Sequence, residues 1–218
     1  MPFTVDPDAT TGKLSRRDQI LLAAAELFAR HGFHGVGIDD IGAAVGISGP
    51  ALYRHFRSKD AMLGEMLTSI SEYLLAGGER RLADADGVDV ALPDLIRFHV
   101  QFALDYPALI TVQERSLANL ADTDRRRVRA LQRRYVEVWV QTIRASVPDV
   151  GEDAARAAAH AVFGLINSTP HIPHLGRDRM AELLYRMALG ALRTPGSLTD
   201  GGPDPASWVT TNEVSPAD

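Results

Sequence analysis

Residues 46–59, GISGPALYRHFRSK, place several side chains that can bind phosphate on a stretch too short to bury a core alone. Its hydrogen-bond donors and cations are Tyr53, Arg54, His55, Arg57 and Lys59. Its few apolar residues recur at helical spacing, at Ile47, Leu52 and Phe56. A short helix with one apolar side and one aromatic and cationic side is typical of a surface that lies against a nucleic-acid backbone.

The helix that carries these side chains is predicted to follow a glycine turn. A short amphipathic helix is expected over residues 39–45, and Gly46 then supplies a residue that tolerates a positive φ. Ser48 can cap a third helix over residues 49–56, with Pro50 in its first turn, where a missing N–H costs nothing. Two short helices joined by a glycine turn predict a helix-turn-helix motif.

An amphipathic helix is expected to precede this motif. Ser15 and Asp18 have the form of a capping box, in which the serine hydroxyl accepts the amide of the third residue on. Apolar residues then follow at helical spacing until Gly32, which is suited to end the helix.

The remaining chain also has helical period and no strand-like alternation of useful length, so the sequence predicts an all-α fold. The helix from Ser58 is expected to weaken at Gly77 and Gly78, and an acidic linker should follow it. Further helices are expected over residues 93–106, 107–120, 122–147, 152–167 and 177–192. We expect a flexible arm (1–14), a helix-turn-helix head (15–57), a larger body (58–195) and a disordered acidic tail (196–218) in which Trp208 has no evident role.

Composition excludes several classes of protein. The chain has no cysteine, so neither a disulfide framework nor a cysteine–zinc site is possible. No secretory signal and no apolar run of about 18 residues is found, so neither secretion nor a membrane span is expected, and the lack of cysteine suits a reducing cytosol. The net charge of −5 argues weakly against nucleic acid, but the acidic tail carries much of it.

The segment from Ile20 to Leu63 resembles the TetR family of bacterial transcriptional regulators. An alanine-rich helix with a Leu-Phe pair is followed by IDDIGAAVGIS and then by LYRHFRSKD, in the family's register. Gly37, Gly42 and Val45 depart from the usual pattern, and Gly37 replaces a threonine that often contacts phosphate in the family. The resemblance implies an operator-binding head and a body that binds a small molecule and pairs with a second copy.

DNA contacts are expected on and around the third helix. Tyr53, His55 and Lys59 could bind phosphate, which fixes the register without reading sequence. Arg54 is the expected donor to guanine O6 and N7, since Gly, Pro and Ala at the helix start offer only shape and apolar contacts. The full predicted set is Arg16, Arg17, Ser48, Gly49, Pro50, Ala51, Tyr53, Arg54, His55 and Lys59.

The body is expected to hold an effector in an aromatic cavity with a few polar groups. The predicted lining is Phe98, Phe102, Tyr106, Gln113, Tyr135, Trp139, Phe163 and Asn167. A mostly apolar effector, such as an acyl-CoA or an aromatic compound, would suit it. A run of arginines is either a solvated face or a clamp for a phosphorylated ligand: Arg125, Arg126, Arg127, Arg129, Arg133 and Arg134.

In the family the last two long helices usually form the dimer, and here these are residues 154–167 and 177–192. The residues expected to pack between copies are Ala155, Ala158, Ala159, Val162, Ile166, Met180, Leu183, Leu184 and Met187. The same residues could instead form the core of a single chain.

The leading hypothesis is therefore a homodimeric repressor that an effector releases from a palindromic operator. A transcriptional activator on the same fold is the alternative, and a helical enzyme is a weaker one, because the nucleotide-binding, hydrolase and metalloprotease motifs are absent. No cofactor is expected. His171 and His174 lack an evident third ligand, so no metal site is expected either.

Overall fold

The computed structural model describes residues 15–147, 149–169 and 175–193. Within these ranges the chain forms nine α-helices and no strand, so the predicted all-α fold is confirmed. The helices are α1 (Arg16–His31), α2 (Ile38–Ala44), α3 (Gly49–Leu52), α4 (Lys59–Asp84), α5 (Val88–Asp105), α6 (Pro107–Ser116), α7 (Asp122–Ser146), α8 (Glu152–Ile166) and α9 (Arg177–Arg193). A 3-10 turn, Leu117–Asn119, lies between α6 and α7. The expected arm and tail, Trp208 and the His171–His174 pair lie outside the described residues.

The ends of α1 follow the predicted capping chemistry. The Ser15 hydroxyl oxygen accepts the amide of Asp18 at 3.1 Å and donates to its carboxylate at 2.5 Å. Gly32 closes the helix with a φ of 73°, and its N–H donates to the Phe28 carbonyl. These local bonds satisfy backbone groups that a helix end leaves without partners.

Helix α3 is shorter than predicted. It ends at Leu52, and residues 53–55 continue as turns. The amides of Arg54 and His55 donate to carbonyls three residues back, at 3.2 Å and 2.9 Å. This tighter winding still carries Phe56 into the core, where it is 2 % exposed.

Helix α4 passes through its glycine pair and runs on to Asp84, so the prediction that the glycines weaken its end was wrong. The reason is tertiary packing. A Cβ on Gly77 would lie 2.1 Å from Phe98 Cζ, and one on Gly78 would lie 2.9 Å from Tyr135 Cε2. The two glycines therefore let α5 and α7 approach α4 closely.

The expected acidic linker is short, because α5 begins at Val88, earlier than predicted, and encloses Pro93. Proline lacks a backbone N–H, so at Pro93, the sixth residue of α5, the helix forgoes the hydrogen bond to the Asp89 carbonyl and continues past it.

The body is built around α4 and α7, which run side by side in the same direction. Arg127 pairs with Glu72 at 2.6 Å and Arg134 pairs with Glu79 at 2.9 Å, so a step of seven residues on one helix matches seven on the other. Helix α5 packs on α4, α7 and α9, and α8 packs on α7 and α9. Helix α1 packs on α6, which joins the head to the body.

The residues expected between two copies fall into two groups. Ala155, Ala158, Ala159, Val162, Ile166, Met180 and Leu184 are buried within the single chain, so that part of the expectation was wrong. Leu183 and Met187 are 44 % and 48 % exposed. Apolar spacing alone does not tell which side of a helix faces its own core.

Candidate nucleic-acid interface and ligand cavity

A tight turn sets the angle between α2 and α3. Gly46 has a φ of 71°, a conformation that favours glycine, and the Ile47 amide donates to the Gly42 carbonyl at 2.9 Å. A Cβ on Gly42 would lie 2.6 Å from the Ile47 carbonyl oxygen. The glycine at position 42, where the family pattern has alanine, therefore allows the turn to fold back onto α2.

Residues 49–56, which comprise α3 and the turns after it and are called the α3 segment below, have a buried side and an exposed side. Leu52 is fully buried, and with Phe56 it anchors the segment in the core of the head. Tyr53 is 54 % exposed, and Pro50 and Arg54 are also exposed. The core contacts therefore hold a rigid surface that projects an aromatic hydroxyl and a guanidinium outward.

The other residues predicted around α3 mostly build this surface. The Ser48 hydroxyl oxygen caps the helix by accepting the Ala51 amide at 3.4 Å. Gly49 is buried against α2, where a Cβ would lie 2.2 Å from an Asp39 carboxylate oxygen. Ala51 and His55 are half-buried beside the exposed positions.

Both arginines at the start of α1 contact the protein itself. Arg16 donates to the Val45 carbonyl and to Gln19 Oε1 at 2.9 Å. Arg17 forms a bidentate pair with Glu65 of α4, and its Nε lies 2.5 Å from Glu65 Oε1.

Arg17 also reaches the end of the α3 segment. It donates to the His55 carbonyl and lies 4.1 Å from the centre of the Phe56 ring. The hydrogen bond with Glu65 raises the pKa of Arg17, so the guanidinium stays charged. Arg17 therefore links the α3 segment to α4.

Lys59, which was predicted to bind phosphate, donates hydrogen bonds within the protein. Its ammonium donates to the carbonyls of Phe33 and Val36, at 2.9 Å and 2.7 Å, and lies 4.5 Å from the centre of the Phe33 ring. Carbonyls in a loop between helices need donors, and a lysine at the start of α4 supplies them. Lys59 thus ties the α1–α2 loop to α4.

A cavity of about 200 Å³ lies in the body between α4, α5, α6, α7 and α8. It has aromatic walls and several amide and hydroxyl groups. Its lining is Ser71, Leu74, His99, Gln113, Gln132, Tyr135, Val136, His160, Phe163 and Asn167. The Tyr135 and Phe163 rings are nearly parallel, with centroids 5.8 Å apart, and His99 lies 5.0 Å from Phe163.

His99 is the centre of a polar chain at the wall of this cavity. Its Nε2 lies 3.2 Å from Asn167 Oδ1, which only accepts, so Nε2 carries the proton. Its Nδ1 then accepts from the Tyr135 hydroxyl at 3.1 Å. Burial lowers the pKa of His99 to about 4, against a smaller opposing effect of Asn167, so the ring is neutral near pH 7. Burial also raises the pKa of Tyr135, so its hydroxyl keeps its proton.

Four of the eight predicted cavity residues line it: Gln113, Tyr135, Phe163 and Asn167. Phe98, Phe102 and Trp139 are buried in the surrounding core, and Tyr106 is half-buried beside Phe102. The residues that sequence reasoning missed are Ser71, Leu74, His99, Gln132, Val136 and His160. His160 and Gln132 lie three residues before Phe163 and Tyr135, so helical neighbours of the predicted aromatics were the available signal.

The arginine run of α7 lies outside this cavity. Arg127 and Arg134 pair with glutamates of α4, and Arg125 pairs with Asp122. The remaining arginines of the run, Arg126, Arg129 and Arg133, are exposed, as expected of a solvated face.

The described part of the chain lacks two further features, a metal site and a membrane-spanning helix. No group of three or more potential metal ligands occurs there. None of the described helices has the length and apolarity needed to cross a bilayer.

The α2–turn–α3 unit is a helix-turn-helix, with one side anchored in the core and one side facing outward. A helix-turn-helix on an all-α body is the architecture of a class of DNA-binding transcriptional regulators. Comparison with known proteins then identifies the family. Residues 20–66 match the model for bacterial regulatory proteins of the TetR family. Residues 90–171 match a tetracyclin repressor-like C-terminal domain.

Known relatives agree with these matches. The transcriptional repressor KstR2 of Rhodococcus jostii is 30% identical over 145 residues, which cover 65% of this chain and 70% of that protein. The transcriptional activator FasR of Mycolicibacterium smegmatis is 39% identical over 67 residues, 31% of each chain. A TetR-family regulator from Bordetella parapertussis has a similar structure, with a TM-score of 0.72 at 25% identity, covering 81% of this chain and 95% of that one.

The chain belongs to the TetR family. It is a DNA-binding, ligand-responsive transcriptional regulator and not an enzyme.

Proposed function

We propose that this regulator is a homodimeric repressor that binds a palindromic operator through two copies of the head. A mostly apolar effector in the cavity releases it, and it acts at the nucleoid in the bacterial cytoplasm. The observation that carries the proposal is the exposed side of the α3 segment. There Tyr53 and Arg54 project outward, and Leu52 and Phe56 anchor the segment in the core. The predicted contacts of Pro50 and His55 belong to the same surface.

The remaining predicted DNA contacts are assigned by where they lie. Arg16, Arg17 and Lys59 already donate to protein groups, so we propose that they position the head. Ser48, Gly49 and Ala51 form the helix start that approaches the bases. This division leaves Arg54 as the main source of base-specific hydrogen bonds.

Effector control is proposed to act through the cavity walls. Helix α4 lines the cavity with Ser71 and Leu74, and its first turns hold the head through Lys59 and Glu65. Helix α6 lines it with Gln113 and packs on α1. A ligand that favours one arrangement of these walls therefore shifts the spacing of the two heads.

The test of the proposed DNA contact is operator binding by Arg54→Ala. We expect the variant to lose about 1–3 kcal/mol of affinity for DNA upstream of its own gene and to discriminate less at one base pair. Fluorescence anisotropy at fixed salt measures both effects. The control is Arg144→Ala, which removes the same charge from the end of α7 far from the head. Wild-type affinity in Arg54→Ala would refute the assigned contact.

Repression rather than activation is proposed because the relative matched over the longer segment, KstR2, is a repressor. FasR, matched over a shorter segment, is an activator and supports the alternative. A promoter fusion measured with and without the gene separates them, since loss of a repressor raises expression and loss of an activator lowers it.

A further inference from the structure

We infer that the effector is a small, flat, uncharged molecule of one or two rings that donates an O–H or N–H hydrogen bond to the cavity wall. This inference rests on the proposed function for the role of the cavity. Its chemistry follows from the size of the cavity, the charge of its lining and the hydrogen-bonding capacity of that lining.

The size of the cavity limits the effector to a small ring compound. Its volume is about 200 Å³. An apolar cavity of about 150 Å³ is known to accept benzene, whereas sites for drug-sized molecules occupy about 300–1,000 Å³. The near-parallel rings of Tyr135 and Phe163 and the adjacent ring of His99 offer flat surfaces, against which an aromatic ring can pack with offset or edge contacts.

Among the described lining residues, the basic side chains are the two histidines, His99 and the exposed His160. None of the residues around the cavity is an Asp, Glu, Lys or Arg. His99, at the inner wall, is neutral because burial lowers its pKa to about 4. A carboxylate, phosphate or ammonium packed against the wall at His99 would therefore lose part of its hydration without gaining a counter-charge there, which is costly.

Three groups in the lining have unused capacity to accept a hydrogen bond. The Gln113 Oε1 atom is buried and has no hydrogen-bond partner among the described residues, and an unmet buried acceptor costs about 1–3 kcal/mol. Rotation about the terminal torsion of Gln113, which is soft, can turn this oxygen toward a ligand.

The hydroxyls of Tyr135 and Ser71 supply the other two acceptors. Both already donate their protons, Tyr135 to His99 and Ser71 to the Leu67 carbonyl, so their oxygens are left to accept. A ligand that donates can satisfy Gln113 Oε1, whereas a ligand that only accepts, for example from the amides of Gln132 and Asn167, leaves this buried oxygen without a partner.

Three matched probes test the inference: 4-ethylphenol, 4-ethyltoluene and 4-ethylbenzoate. They share a ring and an ethyl group and differ in carrying a hydroxyl, a methyl or a carboxylate. Ligand-observed NMR titration of the full chain without DNA should give 4-ethylphenol about 3- to 10-fold tighter binding than 4-ethyltoluene, as expected for one hydrogen bond. The carboxylate should bind at least tenfold more weakly than the phenol.

Variants connect this preference to the named acceptors. Because 4-ethylphenol donates a single hydrogen bond, either Gln113→Leu or, as a second variant, Tyr135→Phe should reduce the preference for the phenol over the methyl probe toward onefold. Gln101→Leu, the same exchange at an exposed position of α5 outside the cavity, should keep it. Circular dichroism checks that each variant folds.

Several results would overturn the inference: no binding of 4-ethylphenol at millimolar concentration, equal binding of the methyl or carboxylate probe, or an unchanged preference in both cavity variants. Operator binding is measured separately. A chain that binds 4-ethylphenol but not the operator defeats the proposed function alone, and a chain that binds the operator but not 4-ethylphenol defeats this inference alone.

Discussion

At the scale of single residues, His99 shows how burial selects a protonation state. The ring is fully enclosed among Phe102, Tyr135, Trp139 and Phe163, and its two nitrogens contact one donor and one acceptor. A second ring proton would displace the Tyr135 hydroxyl proton from its acceptor and place a charge on a ring that is 3 % exposed. The neutral ring is therefore part of the folded structure.

This environment predicts a pH-dependent stability. The folded pKa of His99, about 4, lies below the ordinary value of 6.5, so between these values the unfolded chain binds a proton that the folded chain does not. The stabilisation is fully present above pH 6.5 and is lost as the pH falls toward about 4. It amounts to about 3 kcal/mol, at about 1.4 kcal/mol per pH unit.

Urea unfolding between pH 7 and pH 4.5 measures this effect. The free energy of unfolding of His99→Gln should fall less steeply than that of the wild type, because the variant has no titrating group at this position. His160→Gln, at an exposed position of α8, should keep the wild-type slope. Equal slopes for wild type and His99→Gln would contradict the assigned cause.

Residue roles in the head were only partly readable from the sequence. The exposure of Tyr53 and Arg54 was predictable because both follow a capped helix start and face away from Leu52 and Phe56, which is local periodicity. Lys59 was assigned to phosphate because nothing in its neighbourhood in the sequence shows that two loop carbonyls lie within reach of its ammonium. The pairing of Arg17 was not predictable for the same reason, since its partner Glu65 lies on another helix.

At the scale of helices, Arg17 makes a contact that distinguishes positioning from DNA binding. Arg17→Met and Glu65→Gln should each weaken operator binding by a similar modest factor, and the double variant should lose no more than either one. The salt dependence of binding should stay unchanged, because no phosphate contact is lost. Anisotropy titrations over a range of salt concentrations measure both quantities.

The opposite outcome has a clear signature. If Arg17 instead bound phosphate, Arg17→Met would lower the salt slope by about one, and Glu65→Gln would free the arginine and tighten binding.

The packing of α4 against α5 predicts an unusual response at Gly77. In an open helix, glycine to alanine stabilises by up to about 1 kcal/mol. At Gly77 the added Cβ would meet the buried Phe98 ring, so we expect Gly77→Ala to destabilise the fold by about 1–3 kcal/mol. Ala76→Gly, at the adjacent exposed position, measures the propensity effect alone, and urea unfolding gives both values. If the Gly77→Ala protein were more stable than the wild type, the Phe98 ring of α5 would have to move aside at little cost in free energy.

Helix positions were more predictable than helix packing. Capping at Ser15, Ser48 and Ser58 is a local effect, and the structure has all three caps. The continuation of α4 through Gly77 and Gly78 was not predictable, because these glycines are required by rings from α5 and α7 and not by their neighbours in the chain.

At the scale of the whole molecule, the question is which surface meets a second copy. Helix α9 exposes Leu183 and Met187, one turn apart, and the exposed positions of the neighbouring α8 include the small residues Ala157, Ala161 and Gly164. An apolar ridge beside a surface of small residues allows two helix pairs to pack closely. In a twofold dimer the same surface meets itself, so every substitution there acts twice.

A single charge on this surface is therefore expected to separate the copies. Met187→Glu brings two carboxylates into the proposed interface, and we expect a monomer by analytical ultracentrifugation at micromolar concentration. Since one head covers only a half-site, loss of the second head should reduce affinity for the full palindrome by about 10²- to 10⁴-fold while half-site binding persists. Ala130→Glu, at an exposed position of α7, is the control and should remain a dimer of wild-type affinity. If Met187→Glu stays dimeric and binds the operator normally, the copies meet through another surface, and the exposed apolar residues of α9 need a different partner.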